Sequence, residues 1–196
     1  MIPNCYATKV DAKGIGQVMV RPLEVSDTLA LTTYFCGLSP ATRSCYGPHP
    51  FDHKTAEALC REAKPAEPER FVAVIDGDAG PRIIGYMILT RTLAPSDVAR
   101  YAQIGHALDA RVCASFAPSI ADSYQDQGLG RCMATHVLGC GPTLGLREVI
   151  LMGGVLDRNP RAKHLYETLG FRVVGEFCSR TKPDQLNYDM ILEYER

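Results

Sequence analysis

The chain has 196 residues, 46% of them hydrophobic and 22% charged, which suits one globular domain with its own core and excludes global disorder. Lys+Arg number 21 against 22 Asp+Glu, a formal net charge of −1 that argues against a broad phosphate-binding surface for nucleic acid. No apolar run approaches the ~18–20 residues that span a bilayer and no basic-then-apolar leader opens the chain, so the expectation is a cytoplasmic protein with no nucleic-acid or membrane partner.

Residues 1–15 read as a loose lead-in to a single domain covering 1–196. Residues 17–22 (QVMVRP) predict a short strand with Val18 and Val20 on one face. Ser26 is placed to cap a helix running to about Cys36, with Asp27 in its first turn at the positive end of the dipole. Ser39-Pro40 starts a second helix, because proline at the first helical position gives up a donor that had no partner. Two prolines and a glycine make 46–50 a turn, after which Asp52 caps a third helix ending near Lys64-Pro65. Residues 70–75 and 82–90 then form an antiparallel hairpin across a Gly-rich link.

Residues 93–109 carry no clear period and read as an irregular insertion with one helical turn after Ser96. Residues 111–121 (RVCASFAPSIA) alternate, with Val112, Ala114, Phe116 and Ile120 on one face of a strand. Pro118 lacks a ladder donor, so this strand is at an edge, bulged or splayed there. Beyond it come a helix over 128–138, a strand over 148–156, a helix over 160–169 stopped by Gly170, and closing strands over 172–176 and 185–192. The order predicts a mixed α/β sheet rather than a doubly wound one.

Eight cysteines are scattered without a C-x-x-C pair, so zinc and dithiol redox motifs lack support and free, space-filling thiols are expected. His49 and His53 are four apart, but no third ligand accompanies them, and no metal is expected.

Tyr124-Gln-Asp-Gln-Gly-Leu-Gly-Arg131 follows a strand and opens a helix. Glycines there let backbone approach a ligand, and N–H groups at a helix start, aided by the macrodipole, suit phosphate or pyrophosphate. Met133 stands where the dinucleotide fingerprint has its third glycine, and no Gly-Lys-Ser/Thr follows for a P-loop. A plain glycine-rich turn fits the spacing as well. Further on, Asn159 can cap a helix with Pro160 at its first position, and Tyr166 lies two turns later on the same side. The bland reading of this pair is a cap and a core tyrosine.

Together these features resemble the GNAT N-acetyltransferase superfamily: Gln125, Gly128 and Gly130, then Asn159, Ala162, Leu165, Tyr166, Leu169, Gly170 and Phe171, with a strand between. The resemblance is clearest over 111–177, about a third of the chain. It implies a GNAT-like acyl-CoA N-acyltransferase fold, a mixed, mostly antiparallel central sheet with a splayed strand pair, flanked by helices. It implies acetyl-CoA as co-substrate, its pyrophosphate on the turn formed by Gln125, Asp126, Gln127, Gly128, Leu129, Gly130 and Arg131. Pantetheine would follow Pro118, Ser119 and Ile120, Asn159 would contact the cofactor, and Tyr166 would protonate the departing thiolate. Transfer would be direct attack of a primary amine on the thioester carbonyl, which a strand N–H would polarise.

Two departures stand out. Pro118 removes one backbone donor, and where some family members carry a glutamate base this chain has Gly153-Gly154 and Ser115. His106, Asp122 and Asp157 are substitute base candidates. By region, Arg43, Tyr46 and His49 are candidate contacts for a small-molecule or peptide amine acceptor. Exposed edge strands near the C-terminal end could support a homodimer, which the family often forms. The alternatives are a non-catalytic acyl-CoA-binding or regulatory domain on the same fold, and a nucleotide-binding protein using the glycine turn.

Overall fold

A computed structural model describes residues 6–77, 80–179 and 183–195. In chain order the elements are β1 (Thr8–Ala12), β2 (Gly16–Pro22), α1 (Thr28–Gly37), α2 (Pro40–Cys45), α3 (His53–Arg61), β3 (Arg70–Gly77), β4 (Gly80–Thr90), α4 (Pro95–Gln103), β5 (Cys113–Ile120), α5 (Leu129–Gly139), β6 (Glu148–Leu151), β7 (Val155–Leu156), α6 (Pro160–Thr168), β8 (Arg172–Cys178) and β9 (Leu186–Glu193). The fold is mixed α/β, its strands mostly antiparallel and flanked by helices, as the element order predicts. The chain divides into two compact units, Met1–Leu89 with Ala117–Cys140 and Thr90–Phe116 with Gly141–Arg196, so β5 contributes to both.

In the first unit, β1 to β4 pair antiparallel in sequence order. Val18 and Val20 are fully buried, as their alternation predicts. Thr8–Ala12 corrects the expectation of a loose lead-in: it is a strand, paired Thr8 to Val20 through Ala12 to Gly16. Its TKVDA sequence carries one large apolar residue, too little for a periodic signal, and its order comes from the ladder to β2.

Ser26 is not the cap of α1. It is exposed, and Asp27 sets the helix entry by accepting the Glu24 N–H at 2.9 Å and a two-pronged Arg21 guanidinium at 2.7 Å on each oxygen. The other two starts follow the sequence. Ser39 accepts the Thr42 N–H at 3.2 Å and Asp52 the Thr55 N–H at 2.8 Å. Helix α3 stops at Arg61, short of Lys64. Leu31, Phe35, Phe71, Ile84, Met87 and Met133 are central to the buried apolar set of this unit.

In the second unit, β9 is antiparallel to β6, β7 and β8, while β6 runs parallel to the start of β5. Two expectations are corrected here. The supposedly irregular 93–109 contains the nine-residue helix α4, with Pro95 in its first turn. Its Tyr101 is fully buried against Cys113, Ile150 and Ile191 and donates its hydroxyl to Met190 O at 2.8 Å. The strand expected over 148–156 breaks into β6 and β7, because Gly153 and Gly154 turn the chain with φ of 70° and 73°. A Cβ at Gly154 would stand 2.8 Å from both Phe177 Cε1 and Tyr188 O, so space as well as φ demands glycine there.

Candidate functional site

The parallel ladder between β5 and β6 covers Cys113–Phe116 and closes with Met152 N–H on Phe116 O at 2.9 Å. It ends two residues before Pro118, where the missing donor predicts loss of pairing. Beyond β5, Asp122–Tyr124 forms a 3-10 turn, Asp126 turns back with φ 62°, and Gly128 enters α5 with φ 78°. Short polar side chains and glycine are the residues that tolerate this left-handed backbone.

No side chain caps α5. Its first intrahelical bond is Cys132 N–H to Gly128 O at 3.1 Å, so the N–H groups of Leu129, Gly130 and Arg131 precede the ladder. A Cβ at Gly128 would find nothing within 4 Å, so the approach to these amides is open on that side. Outward-pointing amides at a positive helix end suit a phosphate group, and Arg131 is exposed beside them. The residues present therefore fit the pyrophosphate of a coenzyme A thioester.

Gln125 plays a different part in the turn. Its Nε2 donates to Ile120 O and to Thr42 Oγ1, both at 3.1 Å, and its N–H faces Asp122 O at 3.4 Å. Gln127 Nε2 donates to Ser123 O at 2.9 Å. The Asp122 carboxylate accepts from Ser39 N–H at 3.0 Å and from the hydroxyls of Ser39 and Thr42 at 2.5 and 2.7 Å. Burial alone would raise the Asp122 pKa, but the Ser39 and Thr42 hydrogen bonds carry it below the usual carboxylate value. These contacts clamp the turn to the start of α2. They also commit Asp122, one of the three proposed bases, to holding structure.

Along the last residues of β5, Ser119 is buried with its hydroxyl 2.6 Å from Tyr34 Oη, and Ala117 O accepts from Tyr46 Oη at 3.4 Å. Pro118 and Ile120 are half-buried. Arg43, a candidate acceptor contact, spends donors on Leu38 O (2.9 Å), Phe35 O (2.7 Å) and Cys36 O (3.2 Å), closing the carbonyl end of α1.

In the second unit, Asn159 caps α6: its Oδ1 accepts the Ala162 N–H at 3.2 Å. Tyr166 is 9% exposed, its ring edge-on to Phe171 at 5.7 Å, and Phe171 stacks at 6.4 Å with Phe116, the last paired residue of β5. Its hydroxyl has no hydrogen-bond partner among the described residues, and burial pushes the phenol well above its ordinary pKa, so it stays protonated. The other two proposed bases are engaged. His106 Nε2 lies 2.8 Å from Glu148, and Asp157 accepts the Tyr188 hydroxyl at 2.7 Å. The structure thus assembles 118–120 with 125–131 in one unit and Asn159 with Tyr166 on one helix of the other.

Among the described residues, no three His, Cys, Asp or Glu side chains are grouped to hold a metal ion, and no helix is long and apolar enough to cross a membrane. Seven cysteines within them are free thiols, Cys5 lying outside the described residues.

Comparison with known proteins places the molecule in the acetyltransferase class. The chain belongs to the acetyltransferase (GNAT) family, whose family model matches residues 37–171, and this family uses acetyl-CoA. The GNAT domain of S. lividans PAT is similar in structure, with a TM-score of 0.72 at 18% identity, covering 99% of this chain and 100% of that one. So is yncA from Salmonella typhimurium with its cofactor acetyl-CoA, with a TM-score of 0.66 at 15% identity over 91% of this chain and 95% of that one. A spermidine N-acetyltransferase SpeG chimera from Vibrio cholerae and hSSAT reaches 0.59 at 20% identity, over 90% and 95% of the two chains. No curated protein matches the chain.

Proposed function

We propose that the chain works as one N-acetyltransferase domain, moving the acetyl group of acetyl-CoA to a primary amine on a small molecule or peptide in the cytoplasm. The observation that carries this reading is the uncapped start of α5, with Leu129, Gly130 and Arg131 amides behind an open Gly128. These amides neutralise the pyrophosphate without a buried cation. Pro118, Ser119 and Ile120 border the pantetheine arm where β5 has left its ladder, and Asn159 adds a cofactor contact. Tyr166 keeps its proton until a thiolate forms and donates it then, as an unpartnered phenol allows. A backbone N–H of β5 other than that of position 118 polarises the thioester carbonyl.

Calorimetric titration with acetyl-CoA, CoA and ATP tests the reading. Acetyl-CoA and CoA should bind alike, and Gly128→Asp should abolish binding, because aspartate tolerates the left-handed φ there while its charge repels phosphate. Gly128→Asn, neutral and of the same shape, should bind. Absence of acetyl-CoA binding, or a preference for ATP, defeats the proposal.

A further inference from the structure

Helix α2 is six residues long, and none of them is buried. Isolated helices shorter than about 12–15 residues are marginal in water, so polar attachments must hold this one. Arg43 ties it to the carbonyl end of α1. At its start Ser39 supplies half of a capping box, its Oγ accepting the Thr42 N–H at 3.2 Å. The other half calls for a Glu or Gln three residues on, reaching back to the N-cap N–H. Thr42 stands at that position and has no carboxylate or amide to offer. Asp122, 83 residues away in sequence, supplies the missing acceptor: its Oδ2 takes the Ser39 N–H at 3.0 Å.

The hydrogens of this network have one consistent arrangement. The Asp122 carboxylate is ionised at neutral pH and can only accept, so the Ser39 and Thr42 hydroxyls both donate to Oδ1, at 2.5 and 2.7 Å. The Thr42 oxygen then accepts from Gln125 Nε2 at 3.1 Å. Ile120 O, which can only accept, takes the other Nε2 hydrogen at 3.1 Å and fixes the orientation of the amide. Asp122 and Gln125 belong to the turn that runs into Gly128 and the amides of 129–131, and Gln127 Nε2 on Ser123 O braces the stretch between. Beyond α2, Tyr46 donates its hydroxyl to Ala117 O at 3.4 Å and stacks on Phe51 at 5.7 Å, so α2 sets 46–51 against the end of β5. All of these residues lie in the first unit.

We propose that Asp122 and Gln125 are positioning residues through which occupancy of the α5 turn stabilises α2, a coupling that rests on the coenzyme A reading above. A phosphate group held by the amides of 129–131 fixes the turn, and the fixed turn completes the cap of α2. Helix α2 then holds 46–51 against Ala117 O. Opening α2 means breaking the Asp122 and Gln125 contacts against a turn that the ligand keeps in place. The dependence is reciprocal, so loosening α2 weakens CoA binding.

Hydrogen exchange of the full chain, followed by mass spectrometry without CoA and at saturating CoA, tests the coupling. In the unaltered protein CoA should slow exchange at 129–131 and also, by about 5–150-fold, at 41–46. Asp122→Asn should keep the protection at 129–131 and lose the gain at 41–46. Thr42→Val leaves the Ser39 cap in place but removes the hydroxyl that joins Asp122 to Gln125, and it should lose the gain as well. A purely structural cap would give faster exchange at 41–46 in both variants with the CoA gain intact, and that result overturns the proposal. Protection at 129–131 with no change at 41–46 in the unaltered protein also overturns it, while sparing the cofactor reading. No protection at either segment overturns both.

Discussion

Asp97 Oδ2 accepts the backbone N–H of Gly153 at 3.1 Å, joining α4 to the turn that splits β6 from β7. Arg100 completes the contact, its Nη2 lying 2.7 Å from Asp97 and 2.9 Å from Asp189, with its guanidinium 3.8 Å over the Phe177 ring. Both carboxylates are buried, and removing the Arg100 cation between them leaves their charge uncompensated by any other ion pair among the described residues. Arg100→Met should therefore cost about 3–5 kcal/mol, measured by urea unfolding. A loss below about 1 kcal/mol would show that the carboxylates find solvent instead.

Tyr166 should separate chemistry from binding. Replacing it with phenylalanine preserves the ring packing on Phe171 and removes only the hydroxyl. Turnover should fall by about 10²-fold, the range for loss of a general acid, with acetyl-CoA affinity unchanged. Unchanged turnover would remove Tyr166 from the mechanism.

Gly154 and Gly139 should respond in opposite directions to alanine. Gly154 has φ 73° and Phe177 and Tyr188 O crowd its Cβ position, so alanine there should destabilise by about 1–3 kcal/mol. Gly139 ends α5 with open space around it, and alanine there should stabilise by about 0.5–1 kcal/mol. Thermal melts of the two variants check the pair; equal shifts would refute the argument.

Asp122 makes the clamp between the glycine turn and α2 sensitive to acid. Its folded-state pKa lies below the ordinary 3.8, so the unfolded chain binds the proton more readily. The contribution is present above that ordinary value and disappears as pH falls through the lower folded value. The melting temperatures of the parent and Asp122→Asn should differ most at neutral pH and converge in acid. A gap that persists in acid would assign the effect to something other than the carboxylate charge.

Local chemistry made much of the frame legible. Ser39 and Asp52 cap the helices their positions predict, and Asn159 with Pro160 starts α6, because a cap needs only the next three residues to form. The β5–β6 ladder stops at Phe116, two residues before Pro118, whose missing donor acts wherever the strand lies. The pattern of glycines after β5 marked the turn at α5, and together with the Asn159 to Phe171 pattern it carried the resemblance to the family.

What the sequence left open depends on residues far apart in it. Helix α4 hid because its buried face, Asp97 and Tyr101, is part polar, and its partners Gly153, Asp189 and Met190 lie over fifty residues away. The inward role of the Gln125 side chain and the commitment of Asp122, His106 and Asp157 to other partners were likewise invisible. So was the contact of the His49 ring with the Tyr86 hydroxyl, 3.3 Å away on another element. Propensity, caps and missing donors act over a few residues and can be read along the chain. Burial and paired charge depend on what tertiary packing brings alongside, and only the folded structure decides them.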